Sequence, residues 1–422
     1  MTDEIISLTK TINRQLPVEL LRFLQKAEGI AAEHGYRLYL IGGVVRDLLL
    51  GESSLDIDIA VEGNAINLAE KLTHISSAKI TAHPRFKTAT LKWEKWNIDL
   101  TTTRRESYAR PGALPEVEPS NLINDFSRRD FTINAMAVSL NFEDHDNLID
   151  LHRGRADLQH KIIRILHGKS FVDDATRIWR TLRYEQRLNF QIDPETLRLL
   201  QRDINMLDTI SGDRIRYELE CVLEEAQPEK TLCRAGELGV LAKLSPALKG
   251  DKWLAEKFGA ARKLITPKPP LGLYFALLCY RMAEAEATQF TDKIRLSKVL
   301  ARTIMGTVKL KNGLQLLENP GIKPSDIYQL LRSYLPQAVT AASIVCDNPA
   351  VQRNIRMFKD KLRYIRPSLT GNDLQNMGFA PGPRMKETLE RLHRARLNGE
   401  VASKEEEKRL AEIIITVPGQ LY

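Results

Sequence analysis

The sequence predicts an α+β protein. A mixed α/β head over residues 1–160 is followed by an all-helical neck (161–220), body (221–345) and tail (346–422). Three observations carry this. Short apolar runs rich in β-formers alternate with helical stretches up to about residue 160. Beyond that point helical periodicity dominates, punctuated by prolines such as Pro194, Pro228, Pro267 and Pro320. No fixed-period repeat or low-complexity tract interrupts it. A small α/β head on a long helical body suggests a catalytic unit joined to a substrate-gripping one.

In the head, Leu20, Leu21, Phe23, Leu24, Ala27, Ile30 and Ala31 recur at helical spacing within 17–35. "YRLYLIGG" reads as a short buried strand ending in a glycine turn, and "RDLLLG" as a helix closed by Gly51. "LDIDIAV" is a strand, "NAINLAEKL" a helix, "TATLKW" and "NIDLTTT" further strands. "YARPGALPEVEPSN" is a Pro-rich loop without periodicity.

Composition excludes several classes. With 43% hydrophobic and 27% charged residues over 422 positions, the chain is ordinary for a globular protein with a large core. A formal net charge of +8 leans toward a polyanionic partner, although many basic proteins bind none. Cys221, Cys233, Cys279 and Cys346 form no CxxC pair and read as buried free thiols in a reducing compartment. The N-terminus lacks a signal-peptide pattern, and "LGLYFALLCY" at 271–280 is too short to span a bilayer. A cytoplasmic protein with no membrane partner is expected.

The chemistry is concentrated in "YLIGGVVRDLLLGESSLDIDIAVEGNA" at 39–65. On a strand, Asp56 and Asp58 share one face while Ile57 and Ile59 point into the core. Two adjacent carboxylates repel unless a cation sits between them, and oxygen-only ligands favour Mg²⁺. Asp99, on another expected strand, could complete a site suited to in-line attack on phosphorus. Alone, an Asp-X-Asp is as readily two surface residues at a strand end. Here it follows Gly42 and Gly43, which let backbone approach a phosphate, and a helix N-terminus that favours anions. Arg46 could pair with the same phosphates.

"IGGVVRDLLLG" followed by "LDIDIAVEG" resembles the head motif of the tRNA nucleotidyltransferase and poly(A) polymerase family, class II bacterial branch, within the polymerase-β-like nucleotidyltransferases. "NDFSRRDFTINAMAVSL" (124–140) is similar to the second head motif. "DLHRGRADLQHKIIRIL" (150–166) resembles the head–neck junction, and "DDATRIWRTLRYEQRLNF" (173–190) the nucleotide-reading helix. "ISGDRIRYEL" and "LTGNDLQNMGFAPGPRMKETLERL" are similar but specify less. The likeness covers roughly 36–250 well and the tail loosely.

The resemblance implies a polymerase-β-like head in which Asp56 and Asp58 bind metal, and Asp99 stands where members often carry an acid. It implies that Gly43, Arg46 and Arg129 hold the nucleoside triphosphate, and that Asp130 and Asn134 hold the sugar side. If 173–190 is one helix, Asp174 and Arg177 are i,i+3 neighbours. An acceptor beside a planar donor matches the pairing edges of C and A and leaves buried groups unpaired against U and G. Arg180 and Arg183 continue the stripe and could reach phosphates. The plain alternative is a solvated basic face. The family motif usually starts Glu-Asp-Pro; this chain has Asp173, Asp174 and Ala175, with the reading pair intact.

The segment at 105–124 aligns with the family's flexible loop, needed to remodel the pocket for the final A. It is long, with Arg105, Arg110, Glu116 and Glu118 available, which argues for a final-A-capable enzyme. An A-adding partner in a split CC/A pair fits as well. "QRNIRMFKDKLRYIRP" (352–367) carries six basic residues against one Asp, among them Arg353, Arg356, Lys359, Lys361 and Arg363. With Tyr364 nearby it suits a phosphate backbone, or is a solvated helix face. No sequence-reading code is present, as expected for RNA recognised by shape.

The expectation is a Mg²⁺-dependent enzyme that adds CCA, or its terminal A, to tRNA. The tRNA 3′-hydroxyl would attack the α-phosphorus of CTP or ATP and release pyrophosphate. Rivals are A-only addition, poly(A) addition, and an inactive RNA-binding protein that kept the fold.

Overall fold

The computed structural model describes residues 8–52 and 56–416. The chain forms two compact units divided between Glu225 and Ala226.

The first unit begins with α1 (Thr9–Gln15) and α2 (Val18–Glu33). Leu20, Phe23, Leu24, Ala27 and Ala31 form the buried stripe of α2. Next come β1 (Arg37–Ile41), α3 (Gly43–Leu50), β2 (Asp56–Glu62) and α4 (Ala65–Ile75). They lead into β3 (Lys79–His83), β4 (Thr88–Trp93) and β5 (Trp96–Thr102). Gly51 closes α3 in the left-handed region, as expected, and Asn64 caps α4 by accepting from the Asn67 N–H. The strand expected from Leu55 is described from Asp56; Leu55 lies outside the described residues.

After β5 the chain makes β6 (Arg104–Ser107), β7 (Glu116–Pro119), α5 (Leu122–Ser127), β8 (Met136–Ser139), β9 (Leu148–Asp150) and α6 (Gly154–His160). Then follow β10 (Ile162–Ile163), α7 (Ser170–Asp173), α8 (Thr176–Leu188), β11 (Gln191–Ile192), α9 (Pro194–Asp203) and α10 (Gly212–Leu223). Among the described residues the main sheet has seven strands, in the order β3-β4-β5-β2-β1-β8-β9. β2 is therefore its middle strand. It runs antiparallel to β1 and parallel to β5, in a register that sets Asp58 beside Asp99 and Asp56 beside Asn97.

Two sequence readings are corrected. The Pro-rich segment is not wholly loop: β6 and β7 pair as an antiparallel hairpin, with Arg105 opposite Glu118. Its strands are joined by the backbone ladder, with that exposed ion pair across them in place of an apolar face. The expected helix over 173–190 is two pieces, α7 and α8. Asp174 between them is extended, and its carboxylate takes the Thr176 N–H at 2.9 Å, starting α8 anew.

The second unit is helical: α11 (Pro228–Glu237), α12 (Val240–Leu244), α13 (Lys252–Leu264), α14 (Leu271–Leu278), α15 (Glu284–Lys293) and α16 (Lys298–Gly313). It continues with α17 (Pro324–Leu331), α18 (Pro336–Val345), α19 (Pro349–Asp360), α20 (Gly371–Asn376), α21 (Pro383–Asn398) and α22 (Lys404–Thr416). The apolar run at 271–280 is the buried α14. Among the described residues no helix is long and apolar enough to cross a membrane. All four cysteines are free, but only Cys279 is fully buried; the others are half-exposed.

Candidate active site

Alternation along β2 builds the site. Ile57, Ile59 and Val61 are fully buried on one face. On the other, Ala60 packs under Leu122 and Phe126 of α5, and Glu62 accepts from the Leu122 N–H at 2.6 Å. Toward the start of the strand, Asp58 is half-buried and Asp56 exposed. Asp99 presents its carboxylate on the same side from β5 and accepts from Thr90 Oγ1 at 2.5 Å. Asp56 accepts from Asn97 Nδ2 at 3.1 Å.

Burial pushes the Asp58 carboxyl up to about 6, reinforced by the Asp99 and Asp56 charges and opposed by Arg129 and Arg46. Gly42, at φ +77°, lies directly beside this group. A Cβ there would sit 2.9 Å from Arg129 Nη1 and 3.6 Å from Asp58 Oδ2. The glycine turn thus leaves open the space between a carboxylate cluster and a guanidinium. An oxygen-only, mutually repelling set of this kind fits a hard divalent cation. Among the described residues no group of three His, Cys, Asp or Glu side chains forms a ready-made cage; Asp56, Asp58 and Asp99 share this side of the sheet, Asp99 also accepting from Thr90.

Arg129 is aimed from below. Asp125, buried on α5, accepts from Arg129 Nη2 at 3.0 Å and pairs with Arg128 Nη2 at 2.6 Å. Burial opposes ionisation of Asp125, but Arg129 and Arg128 outweigh it and hold its carboxyl below the usual range. Gly43 opens α3, and Arg46 one turn on is 3% exposed. Arg46 Nη1 donates to Asn134 Oδ1 at 2.7 Å, and Arg46 Nη2 pairs with Asp47 at 2.7 Å.

The structure gives Asp130 and Asn134 inward partners. Asn134 Nδ2 donates to Asp130 Oδ1 at 3.0 Å, and Arg180 Nη2 donates to Asp130 Oδ2 at 2.6 Å. Burial alone would raise the Asp130 carboxyl; Arg180 and the Asn134 hydrogen bond bring it down to about 2. Arg46, Asn134, Asp130 and Arg180 are therefore one continuous network linking α3 to α8, buried except for half-buried Arg180. In it Arg180 is committed to a carboxylate, not presented as a free phosphate contact.

Asp174 and Arg177 remain in one turn, the Arg177 N–H donating to the Asp174 carbonyl at 3.1 Å. They are not helix-face neighbours. Arg214 Nη2 also binds the Asp174 carboxylate, at 2.7 Å. Arg177 is buried, giving Nη1 to Ser170 Oγ at 2.7 Å and Nη2 to the Arg128 carbonyl at 2.6 Å. Arg183 faces Glu218 at a loose 3.8 Å. Sequence reasoning did not single out Asp125, Thr90, Tyr184, Arg214 or Glu218. Arg214 and Glu218 lie in "ISGDRIRYEL", whose likeness was noted without a role.

In the second unit, Val351, Asn354, Ile355 and Phe358 bury one face of α19. Arg353 and Arg356 are exposed on the other, Lys359 is half-buried, and burial lowers its pKa. Lys361 is exposed beyond the helix end, and Arg363 lies 5.1 Å over the Tyr364 ring.

Comparison with known proteins finds likenesses along nearly the whole chain. Residues 38–164 match the poly A polymerase head domain, and 189–251 a probable RNA- and SrmB-binding site of polymerase A. An A-adding tRNA nucleotidyltransferase of Geobacter sulfurreducens is 35% identical over 95% of this chain, which spans only 48% of that relative's length. One of Halalkalibacterium halodurans is 30% identical, covering 96% of this chain and 94% of its own. The solved Thermotoga maritima CCA-adding enzyme complexed with tRNA superposes with a TM-score of 0.76 at 28% identity, over 98% of each chain. With a polymerase-type head, carboxylates in register on β2 and β5, and a relative matched almost end to end, this chain belongs to the tRNA nucleotidyltransferase and poly(A) polymerase family.

Proposed function

We propose that the chain is a template-independent nucleotidyltransferase that adds CCA, or its terminal A, to tRNA 3′ ends from CTP and ATP, releasing pyrophosphate. The observation that carries this is the in-register placement of Asp58 and Asp99 at the Gly42 turn, facing Arg129. Asp56 and Asp58 would hold divalent cation, Mg²⁺ by the hardness of the donor set. Such a cation lowers the pKa of a bound hydroxyl and neutralises phosphate charge. Gly43 leaves room at the α3 N-terminus, and Arg46 and Arg129 supply positive charge for the triphosphate. Asp174 and Arg177 are the base-reading pair, supported by their shared turn. Asp130 and Asn134 act on the sugar side through the buried network rather than from an open surface.

Arg353, Arg356, Lys361 and Arg363, with Lys359 at the edge, would take the RNA backbone. Head (1–160) and neck (161–220) would fall in the first compact unit, and nearly all of the body (221–345) with the tail (346–422) in the second. The cytoplasm is the working compartment this substrate implies.

The test uses three transcripts, ending in the discriminator base, C and CC, each given CTP, ATP or both. Extension with pyrophosphate release by the wild type, lost in Asp58→Ala with tRNA binding retained, is expected. Extension of the CC-ending transcript alone would narrow the activity to A addition. Extension by Asp58→Ala at the wild-type rate would overturn the site.

A further inference from the structure

Tyr184 of α8 is the common neighbour of three arginines. The Arg46 guanidinium lies 5.2 Å from its ring centroid, that of Arg180 5.6 Å and that of Arg183 5.8 Å. The ring is fixed from behind by Phe131, edge-on at 5.5 Å and itself fully buried. Three cations about one ring repel each other. Each is also held by its own carboxylate: Asp47 for Arg46 at 2.7 Å, Asp130 for Arg180 at 2.6 Å and Glu218 for Arg183 at 3.8 Å. The last pair is too long for a hydrogen bond, and Glu218 Oε2 is buried without a hydrogen-bond partner. Arg183 is thus the guanidinium least committed to an internal partner, and the one best able to turn toward an added anion.

We infer that Tyr184 is a positioning residue for the polyphosphate of the incoming nucleotide: its ring gathers Arg46, Arg180 and Arg183 into one cluster before substrate arrives, with the loosely paired Arg183 as the guanidinium that turns to the anion. This rests on the nucleotidyltransferase reading above. The ring supplies what a fourth carboxylate could not. It attracts guanidinium faces without adding a further negative charge, so Arg183, the least compensated of the three, keeps its pull on an anion. Arg46 stands three residues beyond the glycine turn that borders Asp58, which connects the cluster to the carboxylate site.

The experiment compares Tyr184→Leu, Tyr184→Phe, and a series in which position 184 carries phenylalanine with increasing ring fluorination. That series weakens the π face at nearly constant size. Two readouts are taken on the full chain: KM and kcat for ATP on a tRNA transcript, and calorimetric affinity for inorganic tripolyphosphate. Tyr184→Leu should raise KM and weaken tripolyphosphate each by about tenfold, with kcat within about threefold of wild type. Tyr184→Phe, which also loses the hydroxyl beside Arg46, should fall between wild type and Tyr184→Leu, and fluorination should weaken both readouts further, stepwise. Should Tyr184→Leu fail to fold, the fluorinated series decides. Unchanged KM and tripolyphosphate affinity, a loss confined to kcat, or a Tyr184→Phe defect equal to that of Tyr184→Leu would overturn the inference. A wild type that extends no transcript would instead refute the nucleotidyltransferase reading, while tripolyphosphate affinity would still test the cluster.

Discussion

Replacing Asp58 with asparagine removes one charge from a set that repels itself, at almost constant shape. Folding raises this carboxyl from 3.8 to about 6, so between about pH 4 and 6 the folded chain retains a proton the unfolded chain has released. The charged form is disfavoured in the fold, and unfolding free energy falls as pH rises through that window. The gap corresponds to about 3 kcal/mol, fully expressed above about pH 6 and absent below about pH 4. Asp58→Asn should therefore be more stable than wild type at pH 8 by up to about 3 kcal/mol and indistinguishable near pH 4. Urea titrations across that range in chelator measure it. Adding Mg²⁺ at pH 8 should stabilise the wild type and leave the variant unmoved, and the variant should add no nucleotide. A variant less stable than wild type at pH 8, or equally responsive to Mg²⁺, would refute the reasoning.

Asp130→Ala should cost about 1.5–3 kcal/mol at pH 7, because half-buried Arg180 and buried Asn134 both lose their charged acceptor. The deficit should shrink as pH falls toward about 2, where the native carboxyl also protonates, and Arg180→Met in the same chain should recover part of it in urea titrations. Gly112→Ala should lift the hairpin tip, since at φ +75° its Cβ would meet the Thr209 carbonyl oxygen at 2.2 Å. Faster amide exchange over 110–113 would register this, and unchanged exchange would show that the methyl is accommodated without movement. Arg177→Ala should relax base choice, making UTP and GTP detectable in competition assays, by about 1–3 kcal/mol of lost discrimination. An equal loss with all four nucleotides would reassign Arg177 to holding α7 against Arg128. Arg353→Ala, Arg356→Ala and Lys361→Ala together should reduce the salt dependence of tRNA binding by roughly one slope unit per lost phosphate contact. An unchanged slope would return this face to plain solvation.

The carboxylate strand was readable because its period of two is enforced by burial: once Ile57 and Ile59 face the core, Asp56 and Asp58 must share the other side. Asp99 was readable as a candidate, but its partner Thr90 depends on the β4–β5 register, which no local pattern specifies. The hairpin at 104–119 escaped because its pairing is expressed in charges and its second strand ends on Pro119. The break before α8 lies in side-chain chemistry. Asp174 followed two residues later by Thr176 is a helix start, and helical spacing alone runs through it. The arginine cluster joins residues from α3 and α8, so only tertiary packing reveals it.

That the paired aspartates sit on the middle strand of seven has a consequence for how such a protein can diverge. β2 is hydrogen-bonded along both edges and packed on its apolar face, so it tolerates little drift without loss of the sheet. The groups proposed to select the base sit elsewhere, at the junction of two short helices and near a hairpin that carries an exposed ion pair across its strands. Mutation can rework that periphery while the proposed phosphorus chemistry stands still. That this one chain is 30% identical to a relative named for adding A and superposes on a solved one named for adding CCA is what such a division of labour would leave behind.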